Sequence, residues 1–140
     1  MADVLALMDR VSRMSDLYRG LAGTLLARAQ VLHRAGSLDD AAFASVRRSS
    51  DDLILQASDM LVELDEVLAQ SLAAPLARVE RATVELKAAE TRIAAVTDVV
   101  EAALTIAAAA AAVAVFVAAP GLPNASAAVE AVAKAAKSVT

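Results

Sequence analysis

The sequence predicts an all-α protein: an antiparallel hairpin or bundle of long amphipathic helices with a short helix at the C-terminal end. Alanine, the strongest helix former, accounts for 37 of the 140 residues. Glycine and proline, which interrupt helices, occur only 4 and 3 times. Apolar residues recur at intervals of seven over most of the chain, which is typical of helices that pack along one another.

The first predicted helix covers residues from about 2 to 35. Its apolar seam recurs by seven, at Val4, Val11, Tyr18, Leu25 and Leu32. A second series with the same spacing contains only small residues: Ser15, Ala22, Ala29 and Gly36. Small side chains allow close approach, so we expect a neighbouring helix to pack along this series. Gly36 marks the end of the helix, because glycine readily adopts the backbone conformation that follows a helix.

The second predicted helix covers residues from about 38 to 73, with Ser37 as its cap. The connection after Gly36 is very short, which predicts that the first two helices are antiparallel neighbours. The apolar residues of this helix again recur by seven, at Val46, Leu53, Met60 and Val67.

The third predicted helix covers residues from about 75 to 119. Pro75 fits either a tight turn before this helix or a kink in one longer helix, and both alternatives stay open. A new heptad seam runs through Leu72, Val79, Leu86, Ile93 and Val100. A continuous helix of this length would extend about three turns beyond the first two helices.

The last part of that helix is an uncharged stretch from Ala102 to Ala119. As a helix it would rise about 27 Å, close to the apolar thickness of a bilayer. We therefore divide the chain into an amphipathic bundle, residues 1–101, and an apolar helical hairpin, residues 102–140. The side chains predicted to contact a membrane or another subunit are Leu104, Ile106, Val113, Val115, Phe116 and Val117.

A short final helix is predicted over residues from about 124 to 139, with Asn124 as its cap. Glu130 and Lys134 lie in its middle, which disfavours a second membrane crossing. We expect this helix to fold back against the apolar stretch or to lie at a membrane interface.

No residue pattern in the sequence indicates an enzyme, a metal site or a cofactor site. Cysteine is absent, and no glutamate is followed by histidine three residues later, as di-metal helical sites require. His33, the single histidine, is interpreted as a surface or helix-end cation. The net charge of −4 argues against nucleic acid as a partner. No small-molecule substrate is indicated either.

The sequence therefore predicts a non-enzymatic protein that forms a homo-oligomer and contacts or inserts into a membrane through its apolar hairpin. The alternative is a soluble structural subunit of a helical oligomer, filament or multi-protein particle, with the hairpin buried between subunits. Asp3, Asp9 and Arg10 interrupt any signal-peptide core, so we expect a cytoplasmic or membrane-associated protein.

A helical bundle that ends in an apolar hairpin resembles, in arrangement, the α-helical pore-forming toxins. That resemblance covers about the last third of the chain and implies hairpin entry into a membrane. In size the chain also resembles the small helical-hairpin secretion substrates of actinobacteria, but it lacks their Trp-x-Gly turn, since it has no tryptophan. Neither resemblance assigns a functional residue.

Overall fold

The computed structural model describes residues 3–139, which fold into five α-helices with no strand in that range. The helices are α1 (Val4–Arg34), α2 (Asp40–Asp59), α3 (Glu66–Ala88), α4 (Val99–Ala118) and α5 (Leu122–Ser138). A 3₁₀ segment (Ala89–Ala95) follows α3 directly. The predicted all-α class is confirmed. The predicted start of the first helix at Ala2 lies outside the described residues, as does residue 140.

The five helices form a closed ring in the order α1, α2, α4, α5, α3, with each helix contacting the next and α3 contacting α1. Helix α4 also contacts α1 across the ring, which makes it the most enclosed element. The contact between α3 and α1 is the least extensive of the neighbouring pairs. The apolar hairpin formed by α4 and α5 is thus packed against the other three helices.

The end of α1 follows the prediction closely. Gly36 has a φ of 78°, the left-handed conformation that favours glycine. The N–H of Gly36 donates to the carbonyl of His33 (3.1 Å), and that of Ser37 donates to the carbonyl of Leu32 (2.9 Å). These bonds satisfy two carbonyls that the helix end leaves open. The predicted Ser37 cap is wrong, because the Asp39 side chain accepts the N–H of Ala42 (2.8 Å) and begins α2.

The small residues of α1 contact α2, as predicted. The hydroxyl of Ser15 donates to the carbonyl of Ala57 (2.7 Å), and that of Ser50 donates to the carbonyl of Ala22 (2.9 Å). Since the lower-numbered residue of α1 meets the higher-numbered residue of α2, the helices are antiparallel. Both hydroxyls are buried and gain a backbone partner that replaces water.

The predicted second helix, 38–73, is too long. Helix α2 ends at Asp59, and residues 60–65 form an irregular connection before α3. Met60 and Leu64 are buried within this connection, so it forms part of the core. The side chain of Asp65 then accepts the N–H of Leu68 (2.7 Å) and caps α3. The heptad phase is lost across the break, and Val67 is 76% exposed.

Of the two alternatives for Pro75, the structure agrees with the one that places it inside a longer helix, because Pro75 lies within the continuous helix α3; the tight turn and the helix start at about residue 75 are wrong. A proline at this position cannot donate to the carbonyl of residue 71. Ser71 is exposed, so water can satisfy that carbonyl. The chain reverses ten residues earlier instead, at the connection described above.

The predicted third helix, 75–119, is interrupted at residues 89–98. After the 3₁₀ segment, Val96 is extended, and the Asp98 side chain accepts the N–H of Glu101 (3.1 Å) to begin α4. Arg28 of α1 donates from Nε to the carbonyl of Val96 (3.1 Å), which fixes this turn against the bundle. The expected overshoot beyond the first two helices is therefore wrong, since α4 turns back and packs against α2.

Helix α5 folds back against α4 as predicted, but its start differs. Gly121 is the residue before the helix, and Pro123 lies in its first turn. Asn124 lies inside α5 rather than capping it, and its Nδ2 donates to the carbonyl of Ala119 (2.7 Å). The amide therefore closes the turn between the two helices.

The predicted seam residues line the core of the ring. Three of the ten predicted seam residues are half-buried: Val4 and Leu32 at the two ends of the α1 seam, and Val100 of α4. The buried members are Val11, Tyr18, Leu25, Leu72, Val79, Leu86 and Ile93. Ile93 lies on the 3₁₀ segment, so its burial does not depend on a continuous third helix.

Candidate association surface

Helix α4 is long and apolar enough to cross a bilayer: it has 20 residues, and its most apolar 18-residue window has a mean hydropathy of 2.2. In the fold, however, 61% of its apolar window is buried against the rest of the chain. A helix that is apolar on all sides must be covered, and a central core helix meets the same criteria of length and composition as a membrane span. The chain's own helices supply most of that cover here.

The six predicted contact residues fall into two groups. Ile106, Val113, Phe116 and Val117 are buried in the core of the ring. Leu104 and Val115 point outward and are 51% and 56% exposed. The structure thus brings only two of the six to the surface.

A continuous apolar stripe runs along the solvent side of α4, and we call it the outer face. Its members are Leu104, Ala108, Ala111, Val115 and Ala118. Ala111 is half-buried and the other four are exposed. Their spacing of four, three, four and three residues places them on one side of the helix over about 21 Å. None has a polar side chain, whereas Glu101 marks the charged end of the stripe.

Polar groups near α4 are used within the helix. The hydroxyl of Thr105 donates to the carbonyl of Glu101 one turn earlier and is largely buried. The outer face therefore offers neither a charge nor a hydrogen-bond donor for catalysis. The outer face can therefore only pack its apolar side chains against another apolar surface.

Polar side chains elsewhere in the fold pair with one another and link neighbouring helices. His33 lies with Nε2 2.7 Å from Oδ1 of Asp40, and its ring stacks on Phe43 with centroids 4.7 Å apart. This arrangement links the end of α1 to the start of α2. Arg10 of α1 forms an ion pair with Glu80 of α3, and the hydrogen bond to Glu80 raises the pKa of Arg10.

The part of the chain that the structure describes contains no set of side chains that could ligate a metal ion. Over residues 3–139, no three His, Cys, Asp or Glu side chains are placed to hold one ion. Three acidic residues of α2, Asp51, Asp52 and Asp59, are all exposed.

Sequence reasoning could not tell which side of α4 faces outward. The orientation of a helix is usually read from its polar stripe, and residues 102–119 have none. The single signal is Glu101, because residues three and seven positions later lie on the same side of a helix. That side contains Leu104 and Ala108, which are both exposed.

A comparison of the chain with models of known protein families gives no match, and comparisons with curated proteins and with solved structures give none either. The fold and surface define a small all-α bundle with an enclosed apolar hairpin.

Proposed function

We propose that this chain is a non-enzymatic helical protein that self-associates through the outer face of α4. The observation that carries the proposal is an uninterrupted apolar stripe on the surface of a central helix. Transfer of apolar surface out of water is favourable by about 25 cal/mol per Å², and contiguous exposed apolar surface is typical of association sites. The proposal corresponds to a soluble structural subunit of a helical oligomer.

The order of residue sizes on the outer face suits a second copy of the same face. Leu104 and Val115 are its two large residues, Ala108 and Ala111 lie between them, and Ala118 follows Val115. From Leu104 to Val115 the order of sizes and the spacing read the same in both directions, so an antiparallel pair of α4 helices would place each Leu104 opposite a Val115 of the other copy. Alanines at the centre would allow the helix axes to approach to about 8 Å. Such a contact has twofold symmetry and therefore gives a closed dimer.

The test is the solution mass of the full chain and two matched variants. Ala108→Glu adds a charge to the outer face, whereas Ala127→Glu makes the same change at an exposed site on α5. We expect an oligomer for the native chain and for Ala127→Glu, and a folded monomer for Ala108→Glu. A monomeric native chain would refute the proposal, as would an oligomer that Ala108→Glu leaves intact.

A second candidate function is membrane insertion, which the length and hydropathy of α4 favour. Insertion would require α4 to leave α1 and α2, so that its buried residues Ile106 and Phe116 could face lipid. The resulting loss of core contacts is the main physical cost of this candidate. Flotation of the full chain with anionic liposomes tests it: recovery with the lipid supports insertion, and complete recovery in the soluble fraction rejects it.

A further inference from the structure

A cleft of about 550 Å³ lies between the C-terminal half of α1 and the segment that follows α3. Small-molecule sites in proteins usually enclose about 300–1,000 Å³ and are mostly apolar, so the size is appropriate for a ligand. Ala27 and Val31 of α1 form one wall, and Ala94 of the 3₁₀ segment forms the other. Val31 is 54% exposed and lies along the open side of the cleft.

One end of the cleft is closed by an ion pair and a hydrogen bond between polar side chains. Glu90 forms an ion pair with Lys87, and its Oε1 accepts the hydroxyl of Thr24 (2.6 Å). Burial would raise the pKa of Glu90, but the hydrogen bonds from Lys87 and Thr24 outweigh it and lower that pKa. Glu90 is therefore ionised at neutral pH and neutralises Lys87.

Arg28 supplies the remaining charge of the cleft. Its Nε donates to the carbonyl of Val96 (3.1 Å), which anchors the side chain beside the 3₁₀ segment. Among residues 3–139, no carboxylate pairs with the terminal nitrogens of this guanidinium. Since Lys87 and Glu90 cancel, the cleft carries one uncompensated positive charge next to an apolar wall.

We propose that this cleft binds a small amphipathic anion, a carboxylate attached to a hydrocarbon chain. The carboxylate accepts hydrogen bonds from the terminal nitrogens of Arg28, whose planar fork suits a carboxylate. The hydrocarbon chain lies against Ala27, Val31 and Ala94. Arg28 and Val31 are three residues apart on α1, so the charged and apolar contacts share one side of that helix. This site is separate from the outer face of α4 and does not depend on self-association.

The experiment measures binding of decanoate to the full chain by calorimetry, with decyltrimethylammonium as a probe of equal chain length and opposite charge. We expect decanoate to bind with a dissociation constant below about 1 mM and the cationic probe to bind at least about tenfold more weakly. Equal affinity for the two probes overturns the proposal, because it indicates apolar adsorption without charge recognition. Absence of decanoate binding overturns it as well.

Three variants locate the site. Arg28→Gln should weaken decanoate binding about tenfold, and Ala94→Leu should reduce it similarly by filling the cleft. Arg81→Gln removes an exposed arginine of α3 outside the cleft and should leave the affinity unchanged. Unchanged affinity in Arg28→Gln contradicts the assignment, and so does an equal loss in Arg81→Gln.

A second measurement keeps the test valid if a variant folds poorly. Amide chemical shifts of the native chain, recorded with increasing decanoate, should change around Thr24, Arg28 and Ala94. Shift changes confined to α4 or α5 would overturn the proposed location.

Discussion

The hydroxyl groups of Tyr18 on α1 and Thr83 on α3 lie 3.1 Å apart, and both side chains are fully buried. This pair joins the two neighbouring helices that have the least extensive contact. Arg10 pairs with Glu80 nearer the start of α1, and Thr24 bonds to Glu90 nearer its end. Residue numbers increase together along these links, so α1 and α3 run in the same direction. Burial raises the pKa of Tyr18 to about 12, despite the opposing effect of the hydrogen bond with Thr83.

Replacement of Tyr18 by phenylalanine should lower the free energy of unfolding by about 1 kcal/mol at neutral pH, because one buried hydrogen bond is lost. In alkali the unfolded tyrosine releases its proton near its ordinary pKa of 10.0, before the buried one does. The stability that depends on neutral Tyr18 is therefore complete below pH 10 and is lost as the pH rises towards 12. Urea unfolding of both proteins across this range should show their difference shrinking. An equal alkaline slope in Tyr18→Phe would contradict the prediction.

Pro75→Ala should stabilise the protein. It restores a backbone donor inside α3 and removes a steric conflict, effects worth up to about 3 kcal/mol in a helix interior. Pro123→Ala is the matched control, because Pro123 lies in the first turn of α5, where proline is tolerated. Thermal unfolding should show a clear gain for the first variant and little change for the second. A similar response from both would indicate that Pro75 does not disturb α3.

Two glutamate substitutions on α4 distinguish its inner side from its outer face. Ala110 is fully buried, so Ala110→Glu should cost several kcal/mol by placing an unpaired charge in the core. Ala108 is exposed, and Ala108→Glu should change the stability of the folded chain by less than about 1 kcal/mol. Urea unfolding under conditions that keep both variants monomeric provides the comparison. Equal destabilisation would mean that α4 is covered on both sides.

Glu90→Gln tests the ion pair that closes the cleft. The pKa of Glu90 is lowered in the folded state, so its contribution is complete above the ordinary value of 4.5 and is lost as the pH falls below it. The side chain of Lys87 is 41% exposed, so we expect a loss of no more than about 1 kcal/mol at pH 7. That loss should shrink towards pH 3. The control is Glu85→Gln, at an exposed position of α3, which should change the free energy of unfolding by less than about 0.5 kcal/mol at pH 7.

The antiparallel geometry proposed for self-association can be tested by cross-linking, since the native chain has no cysteine. Leu104→Cys and Val115→Cys, mixed and oxidised, should give a disulfide-linked pair. Each variant alone should link poorly, because its own cysteines lie at opposite ends of the twofold contact. Efficient linking of Leu104→Cys with itself would indicate a parallel pair instead.

Much of the architecture could be predicted from local signals. The heptads and the alanine content indicate an all-α bundle, and Gly36 marks the end of α1 because the chain there needs a left-handed residue. The small series containing Ser15 and Ala22 predicts the close contact with α2. These features depend on neighbours within one or two turns, so the sequence carries them directly.

The two helix breaks were missed, although each has a sequence signal. Asp65 and Asp98 both accept an N–H three residues later, in the same way as Asp39. No glycine accompanies them, and the apolar repeats continue on both sides, so heptad spacing alone favours longer helices. Pro75 left a turn and a position within a longer helix open as alternatives, and the second is observed because an exposed Ser71 allows α3 to accommodate the proline.

Composition and heptad spacing are enough to predict that this protein is helical, that its first two helices pair, and that its alanine-rich run requires apolar cover. The source of that cover depends on three-dimensional packing: α1, α2 and α5 bury most of α4 and leave Leu104 and Val115 outside. It also brought Arg28 beside Ala94 to form the cleft. The physical reason is that a uniformly apolar helix has no polar side to fix its orientation, and contacts between residues more than sixty positions apart depend on how helices assemble.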